Sequence, residues 1–256
     1  MIKKMIKKII GQGNIKYLKY LLSKKDKDLI YNRYSFYSQF LNEGDIFFDV
    51  GANYGNRIEP LIDKGINIVA IEPQYECVKY LKKRFGDKIT VVPKGLGKKV
   101  GYKKMFISDA DTLSSFSRNW ISSTKKSGRF TQYEWNEKRR IRMTTLDNLI
   151  NKFGIPQFIK IDVEGYELEV LKGLSTPVKF ISFEYTVPEQ THKALQCLNY
   201  IKSITDNNMK CNYSIGESME CALNEWIKPE EMFLEIRKEN FIKSSNGDIY
   251  TKYTKF

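Results

Sequence analysis

Asp45-Ile46-Phe47-Phe48-Asp49-Val50-Gly51-Ala52-Asn53-Tyr54-Gly55-Asn56 constrains this chain more than any other stretch. An apolar run ends in an acid and breaks into a glycine turn, after which Ile58, Leu61 and Ile62 follow at helical spacing. Such a turn lets backbone amides and a helix N-terminus approach a small charged ligand. The next apolar run, Ile68-Val69-Ala70-Ile71, ends in Glu72, where a carboxylate can grip a ribose. Strand, glycine turn, helix, strand and acid together predict a nucleotide-type cofactor site.

The rhythm continues beyond it. Strands are expected at 46–50, 67–72 and 89–92, with helices at 55–64 and 74–85 between them. That alternation implies an α/β fold whose sheet is mostly parallel and covered by helices on both faces. Residues 94–143 break the pattern: strands at Tyr102–Ile107 and Lys138–Met143 flank a polar, aromatic loop long enough to be functional or mobile. Thr144 is expected to cap a helix through Leu146, Leu149 and Ile150, with Asp147 completing a capping box. A second acid-ended strand, Phe158-Ile159-Lys160-Ile161-Asp162, leads into a helix closed by Gly173. Val178–Phe183 reads as a strand ended by Glu184, followed by a helix at 189–203. Late strands near Lys210–Ile215 and Met232–Ile236 complete the sheet, and the residues after Lys238 read as a frayed polar tail. The expected organisation is a basic helical segment (1–43), a main domain (44–238) with a basic insertion (94–143), and a tail (239–256).

Charge adds a second constraint. The formal net charge is +13, and the first 25 residues hold eight lysines and no acid. Ile2, Met5, Ile6, Ile9 and Ile10 share one helical face among those lysines. Such a helix suits either an anionic lipid surface, giving a peripheral membrane contact through 1–10, or docking on the core, the preferred reading for so short a segment. Arg118, Lys125, Lys126, Arg129, Lys138, Arg139, Arg140 and Arg142 form a second basic cluster, interleaved with aromatics. The four cysteines have neither metal-ligand spacing nor a disulfide-dense pattern, which fits a reducing, cytoplasmic setting with free thiols.

Asp49-Val50-Gly51-Ala52-Asn53-Tyr54-Gly55, Ile71-Glu72-Pro73, Thr145-Leu146-Asp147 and Ile159-Lys160-Ile161-Asp162-Val163-Glu164-Gly165-Tyr166-Glu167 together resemble the FkbM family of S-adenosylmethionine-dependent methyltransferases, over roughly residues 40–186. The resemblance implies a Rossmann-like seven-stranded methyltransferase sheet, S-adenosylmethionine as donor, and O-methylation of a hydroxyl on a sugar, glycan or secondary metabolite. It also implies that Asp49 lies near the donor's methionine ammonium and that Glu72 accepts both ribose hydroxyls. Gly51, Ala52, Asn53, Gly55, Asn56 and Pro73 would form the rest of the donor cradle. Ser114 and Ser115 are expected at the adenine or methionine end, or simply as solvated loop residues.

An alcohol is a poor nucleophile without a positioned base. Asp162, Glu164 and Glu184 lie at the predicted carboxyl edge of the sheet and are rival bases, with Glu164 an alternative helix cap; Asp162 could instead stabilise the cationic donor. His192, the only histidine, is a further candidate. Three acids at one edge could hold Mg²⁺, but nothing in their spacing demands it, so no metal is expected. The aromatic, arginine-rich insertion is expected to wall the acceptor pocket and to favour an anionic glycan through Arg139 and Arg140. Besides a non-catalytic membrane-surface scaffold built on the N-terminal helix, two rival functions remain. An NAD-dependent oxidoreductase would share the first motif, although the turn is not G-x-G-x-x-G. A nucleic-acid methyltransferase or RNA binder would use the charge, although no recognition signature accompanies it.

Overall fold

Short runs of β-branched and aromatic residues set the strands, and their burial on both faces sets the layers. The structure, a computed structural model, describes residues 24–255. Along the chain it forms α1 (Lys24–Tyr37), β1 (Ile46–Val50), β2 (Asn67–Ile71), α2 (Tyr75–Phe85), β3 (Ile89–Val92), β4 (Gly95–Leu96), β5 (Gly101–Ile107), α3 (Arg118–Lys126) and β6 (Glu137–Thr144). There follow α4 (Leu146–Phe153), β7 (Phe158–Ile161), α5 (Glu167–Leu171), β8 (Phe180–Thr186), α6 (Thr191–Ile204), β9 (Met209–Tyr213), α7 (Pro229–Glu235), α8 (Glu239–Lys243) and β10 (Asn246–Tyr253). Seven strands make the main sheet in the order β3-β2-β1-β7-β8-β10-β9, all parallel except for β10. The α/β fold expected from the sequence is the fold observed.

Alternation along each strand splits the core in two. Phe48, Val50, Ile159, Ile161 and Phe183 face one way, against Leu146, Leu149, Leu171 and Leu198 from the helices. Phe47, Ile68, Ala70, Phe158 and Phe180 face the other, against Phe36, Tyr37 and Phe40 at the end of α1, and Leu81 and Phe85 of α2. Aromatic edges lock α1 in place: Tyr37 meets Phe158 at 5.6 Å and Phe40 meets Phe180 at 5.1 Å, both edge-on. The basic helix expected over residues 2–10 lies outside the described residues.

Several expectations need correction. The helix placed at 55–64 is a single 3₁₀ turn, Glu59–Leu61. Pro60 supplies no amide for a longer ladder, and left-handed Asp63 and Gly65 turn the chain straight back into β2. The strand placed at Met232–Ile236 is helix α7, where Met232 and Ile236 bury one face at i, i+4 spacing. Thr145, not Thr144, caps α4 by accepting from the Asn148 amide at 3.1 Å, while Asp147 accepts from the Ser175 amide at 2.8 Å instead of closing a box. The polar loop of the insertion holds α3, capped by Ser117, and a separate three-stranded sheet, β4-β6-β5.

The largest correction concerns the expected tail. Residues 239–256 contain α8 and then β10, which enters the main sheet between β8 and β9 and pairs antiparallel with both. Its polar composition misled because its buried polar groups have partners: Thr251 Oγ1 donates to the Ile181 carbonyl at 3.1 Å, and Asp248 meets Lys160. Lys160 is 0% exposed in the middle of β7, and its Nζ donates to Asp248 Oδ1 at 2.5 Å and to Asp162 Oδ2 at 3.3 Å. Burial alone would push this ammonium toward neutrality. Asp162 and then Asp248 outweigh it and hold its pKa well above the ordinary lysine value.

Two measurements check these assignments. Truncation after Lys238 is expected to abolish cooperative unfolding, because it removes an interior strand; a true tail would leave the urea transition intact. Lys160→Met is expected to cost about 3–5 kcal/mol, the usual penalty for leaving a buried charge such as Asp248 without its partner, read from the denaturation midpoint.

Candidate active site

The carboxyl ends of β1, β2, β7 and β8 open into a cavity of about 220 Å³. Its floor begins with the glycine turn. Gly51 (φ +85°) lies so close to the next loop that a Cβ there would stand 1.8 Å from the Asp162 carbonyl oxygen. Only glycine lets the β1 and β7 loops meet at this point. Asn53, also left-handed at φ +46°, turns its amide onto Glu72 Oε2 at 2.9 Å, while its own Oδ1 accepts from the Tyr54 amide at 2.9 Å.

Two buried acids face this turn. Asp49 is 2% exposed, and its Oδ2 has no hydrogen-bond partner. Burial pushes its carboxyl up to about 7 against the opposing charges of Lys160 and Arg57. An orphaned carboxylate oxygen in a cavity is a site awaiting a cationic or donor group. Glu72 is equally buried; its Oε1 accepts from the Gln74 amide at 2.7 Å, leaving each oxygen a further lone pair for a ligand hydroxyl. Burial also raises its carboxyl to about 7, though the Gln74 and Asn53 amides oppose that shift.

Beyond them stands a cluster of three acids. One carboxylate oxygen from each of Asp162, Glu164 and Glu184 lies within 4.8 Å of the others. Burial, followed by the charge of Asp162, pushes both Glu164 and Glu184 well above the usual carboxylate range. Glu164 has a left-handed backbone at φ +53°, an unusual state for a residue with a side chain. One oxygen from each acid could reach a common divalent cation, a ligand set that spacing in the sequence did not demand.

The structure places some predicted site residues elsewhere. Asp49, Gly51, Ala52, Asn53, Asn56, Glu72, Pro73, Ser114, Asp162, Glu164 and Glu184 all line the cavity, whereas Gly55, Ser115 and His192 do not. Gly55 (φ +81°) packs under α2, where a Cβ would come within 2.6 Å of the Phe85 ring. Ser115 is fully buried and donates to the Glu164 carbonyl at 2.6 Å, so it fixes the backbone of an acid of the cavity. His192 is exposed on the first turn of α6. Glu164 does not cap the following helix, whose N-terminus has no side-chain cap. Glu167, its first residue, instead ties down the preceding loop by accepting from the Gly165 amide at 3.0 Å and the Val163 amide at 3.3 Å.

The insertion contributes a wall through Met105, Asp111, Thr112, Ser114 and Phe116. Tyr54 donates to Asp111 Oδ2 at 2.5 Å and Gln74 Nε2 to the Asp111 carbonyl at 3.0 Å, tying this wall to the glycine turn. Most of the interleaved aromatics form a small separate core, with Trp120 packed against Phe130 and Trp135. Arg139 and Arg140 stand away from the cavity: Arg139 pairs with Glu137, and Arg140 stacks 4.3 Å over Tyr102. Sequence reasoning missed the cavity residues Arg33, Arg57 and Glu217, and gave Lys160 no role. A lone lysine inside an apolar strand was the one available signal.

Comparison with known proteins agrees with this geometry. Residues 49–242 match the methyltransferase FkbM domain. The hexuronic acid methyltransferase AglP of Haloferax volcanii is 27% identical over 184 residues, covering 68% of this chain and 71% of its own. Among solved structures, a precorrin-6y C5,15-methyltransferase from Geobacter metallireducens (12% identity, 87% of each chain, TM-score 0.44) is similar. So is a TehB-like methyltransferase from Corynebacterium glutamicum (8% identity, 87% of this chain and 88% of that one, TM-score 0.45). The matched residues include Asp49, Glu72 and Asp162, and the family replaces the NAD-dependent alternative. The chain belongs to the FkbM family of methyltransferases, whose methyl donor is S-adenosylmethionine.

Proposed function

We propose that this chain moves a methyl group from S-adenosylmethionine to a hydroxyl of a sugar-type acceptor. The single observation that carries the reading is the division of the cavity's acids into an unpartnered Asp49 and a separate cluster of three. The hexuronic acid methyltransferase relative supports a sugar as acceptor class.

The donor supplies an electrophilic methyl on a sulfonium, so alignment is the protein's main task. Asp49 is suited to hold the donor's ammonium, and Glu72 to accept its ribose hydroxyls. Gly51, Ala52 and Asn53 give the backbone its close approach, and Ser114 and Phe116 close the side formed by the insertion. The acid cluster then takes the acceptor's proton. Burial and then the charge of Asp162 raise both Glu164 and Glu184, and an ionised oxygen on either is a stronger base than an ordinary carboxylate. The proton passes from the hydroxyl oxygen to that carboxylate as the new bond to carbon forms. The basic insertion gives little support to a nucleic-acid substrate, since Lys125, Arg129 and Arg139 are engaged by Glu134, Glu189 and Glu137.

The direct test incubates the protein with S-adenosylmethionine and a panel of neutral and acidic sugars, following S-adenosylhomocysteine release and the methylated product by mass spectrometry. Turnover only on nitrogen acceptors would overturn the hydroxyl assignment. Glu164→Gln and Glu184→Gln are each expected to lower kcat about 10²–10⁴-fold while leaving S-adenosylhomocysteine affinity within a few-fold. An unchanged kcat in both variants would move the base elsewhere.

Asp49 gives a pH prediction with opposite signs for binding and stability. Its carboxyl is raised to about 7 in the folded chain from an ordinary 3.8, so the native state holds a proton that the unfolded state releases. Stability of the ligand-free protein therefore falls as pH rises between these values. Affinity for the ammonium of S-adenosylhomocysteine needs the ionised carboxylate and rises as pH passes through about 7. Calorimetric titration and thermal melts across that range read both trends. Asp49→Asn is expected to flatten the binding trend and to reduce the stability trend, to which Glu72, also raised to about 7, contributes with the same sign.

A further inference from the structure

Two guanidinium groups in the cavity converge on one carboxylate that stands largely in solvent. Arg33, from α1, and Arg57, just after the glycine turn, are each 8% exposed. The side chain of Glu217, on the loop after β9, is 58% exposed. Arg57 holds Glu217 with both ends of its fork, Nη1 to Oε2 and Nη2 to Oε1, the latter at 2.8 Å. Arg33 Nη2 donates to Oε2 at 3.1 Å, its Nη1 donates to the Asn56 carbonyl at 3.3 Å, and its buried Nε has no partner.

This arrangement is costly for a strut alone. Burying an arginine is unfavourable unless its donors are matched, and here two buried forks share one exposed anion. Burial, then the charge of Arg57, pulls the Arg33 guanidinium below its ordinary value, whereas Tyr37, Glu217 and Asp248 outweigh burial and hold Arg57 well above its own. Arg33, with its unpartnered Nε, is therefore the less compensated of the two. A planar fork matches a carboxylate in a way that a lysine would not. The same cavity holds Asp49 and the acid cluster, so a carboxylate seated at this pair belongs to a molecule that also reaches the reacting centre.

We propose that Arg33 and Arg57 form a subsite for the carboxylate of a bound ligand, and that Glu217 keeps the place as a displaceable latch. The proposal rests on the methyl-transfer reading for the identity of the ligands, two of which carry such a group: the amino-acid end of the methyl donor, and a uronic-acid type of acceptor. The shared chemistry is the carboxylate. It replaces Arg139 and Arg140 as the source of any preference for an anionic ligand.

Calorimetric titration of wild type, Glu217→Gln and Arg57→Gln with two matched pairs of probes tests it. S-adenosylhomocysteine carries the carboxylate and 5′-methylthioadenosine lacks it; D-glucuronate carries one and D-glucose does not. Glu217→Gln, an exposed position that leaves the core untouched, is expected to bind one carboxylate-bearing probe about tenfold tighter relative to its matched control, and Arg57→Gln about tenfold weaker. A response confined to S-adenosylhomocysteine assigns the subsite to the donor, and one confined to glucuronate assigns it to the acceptor. If Glu217→Gln leaves both ratios unchanged, or weakens binding of both carboxylates, the contact is only a strut and the proposal falls. Failure of the methyl-transfer reading is separately visible, as wild type that releases no S-adenosylhomocysteine with any sugar while its probe ratios remain measurable.

Discussion

The buried ammonium of Lys160 is the contact on which sheet and site both depend. It joins β7 to the late strand β10 through Asp248, and it reaches Asp162 at the mouth of the cavity. A charge with no exposure survives only where opposite charges offset its desolvation, and here two carboxylates do so. Asp49, its register partner on β1, feels the same charge as an opposing pull on a raised pKa. One lysine thus ties β7 to β10 across β8 and opposes the raised pKa values of Asp49, Glu164 and Glu184.

Around that centre the cavity divides its chemistry by hydrogen bonding. Glu72 spends one lone pair of each oxygen on backbone amides, from Asn53 and Gln74. Asp49 keeps an oxygen with no partner and therefore asks for a charged donor. Asp162, Glu164 and Glu184 crowd together, and burial followed by the charge of Asp162 makes both glutamates harder to ionise. The insertion does not act as a loose basic flap. Its own small sheet and aromatic cluster hold a wall against the glycine turn through Tyr54 and Gln74.

The parallel half of the fold was legible because its signals are local. Apolar runs ended by Asp49, Glu72 and Asp162 predicted β1, β2 and β7, and glycine at position 51 predicted the turn that only glycine can make. Most of the cavity's lining on that side comes from the same residues. The errors came where local pattern and long-range context disagree. Met232 and Ile236 fit either period until α7 chose one, and the polar strand β10 gave no apolar run to read because Lys160 and the Ile181 carbonyl satisfy its buried groups. Gly55 packs against Phe85 and Ser115 donates to the Glu164 carbonyl, contacts that their local motif does not record.

The amino-acid order by itself determined a strand–turn–strand frame with acids at its carboxyl edge, since side-chain period and backbone sterics act over a few residues. Only the tertiary structure decided which acids meet, that His192 stays outside, and that Arg33, Arg57 and Glu217 share one place. Those three residues lie as far as 184 positions apart, and electrostatic partnership at that separation is written in the packing of the sheet, where no local pattern records it.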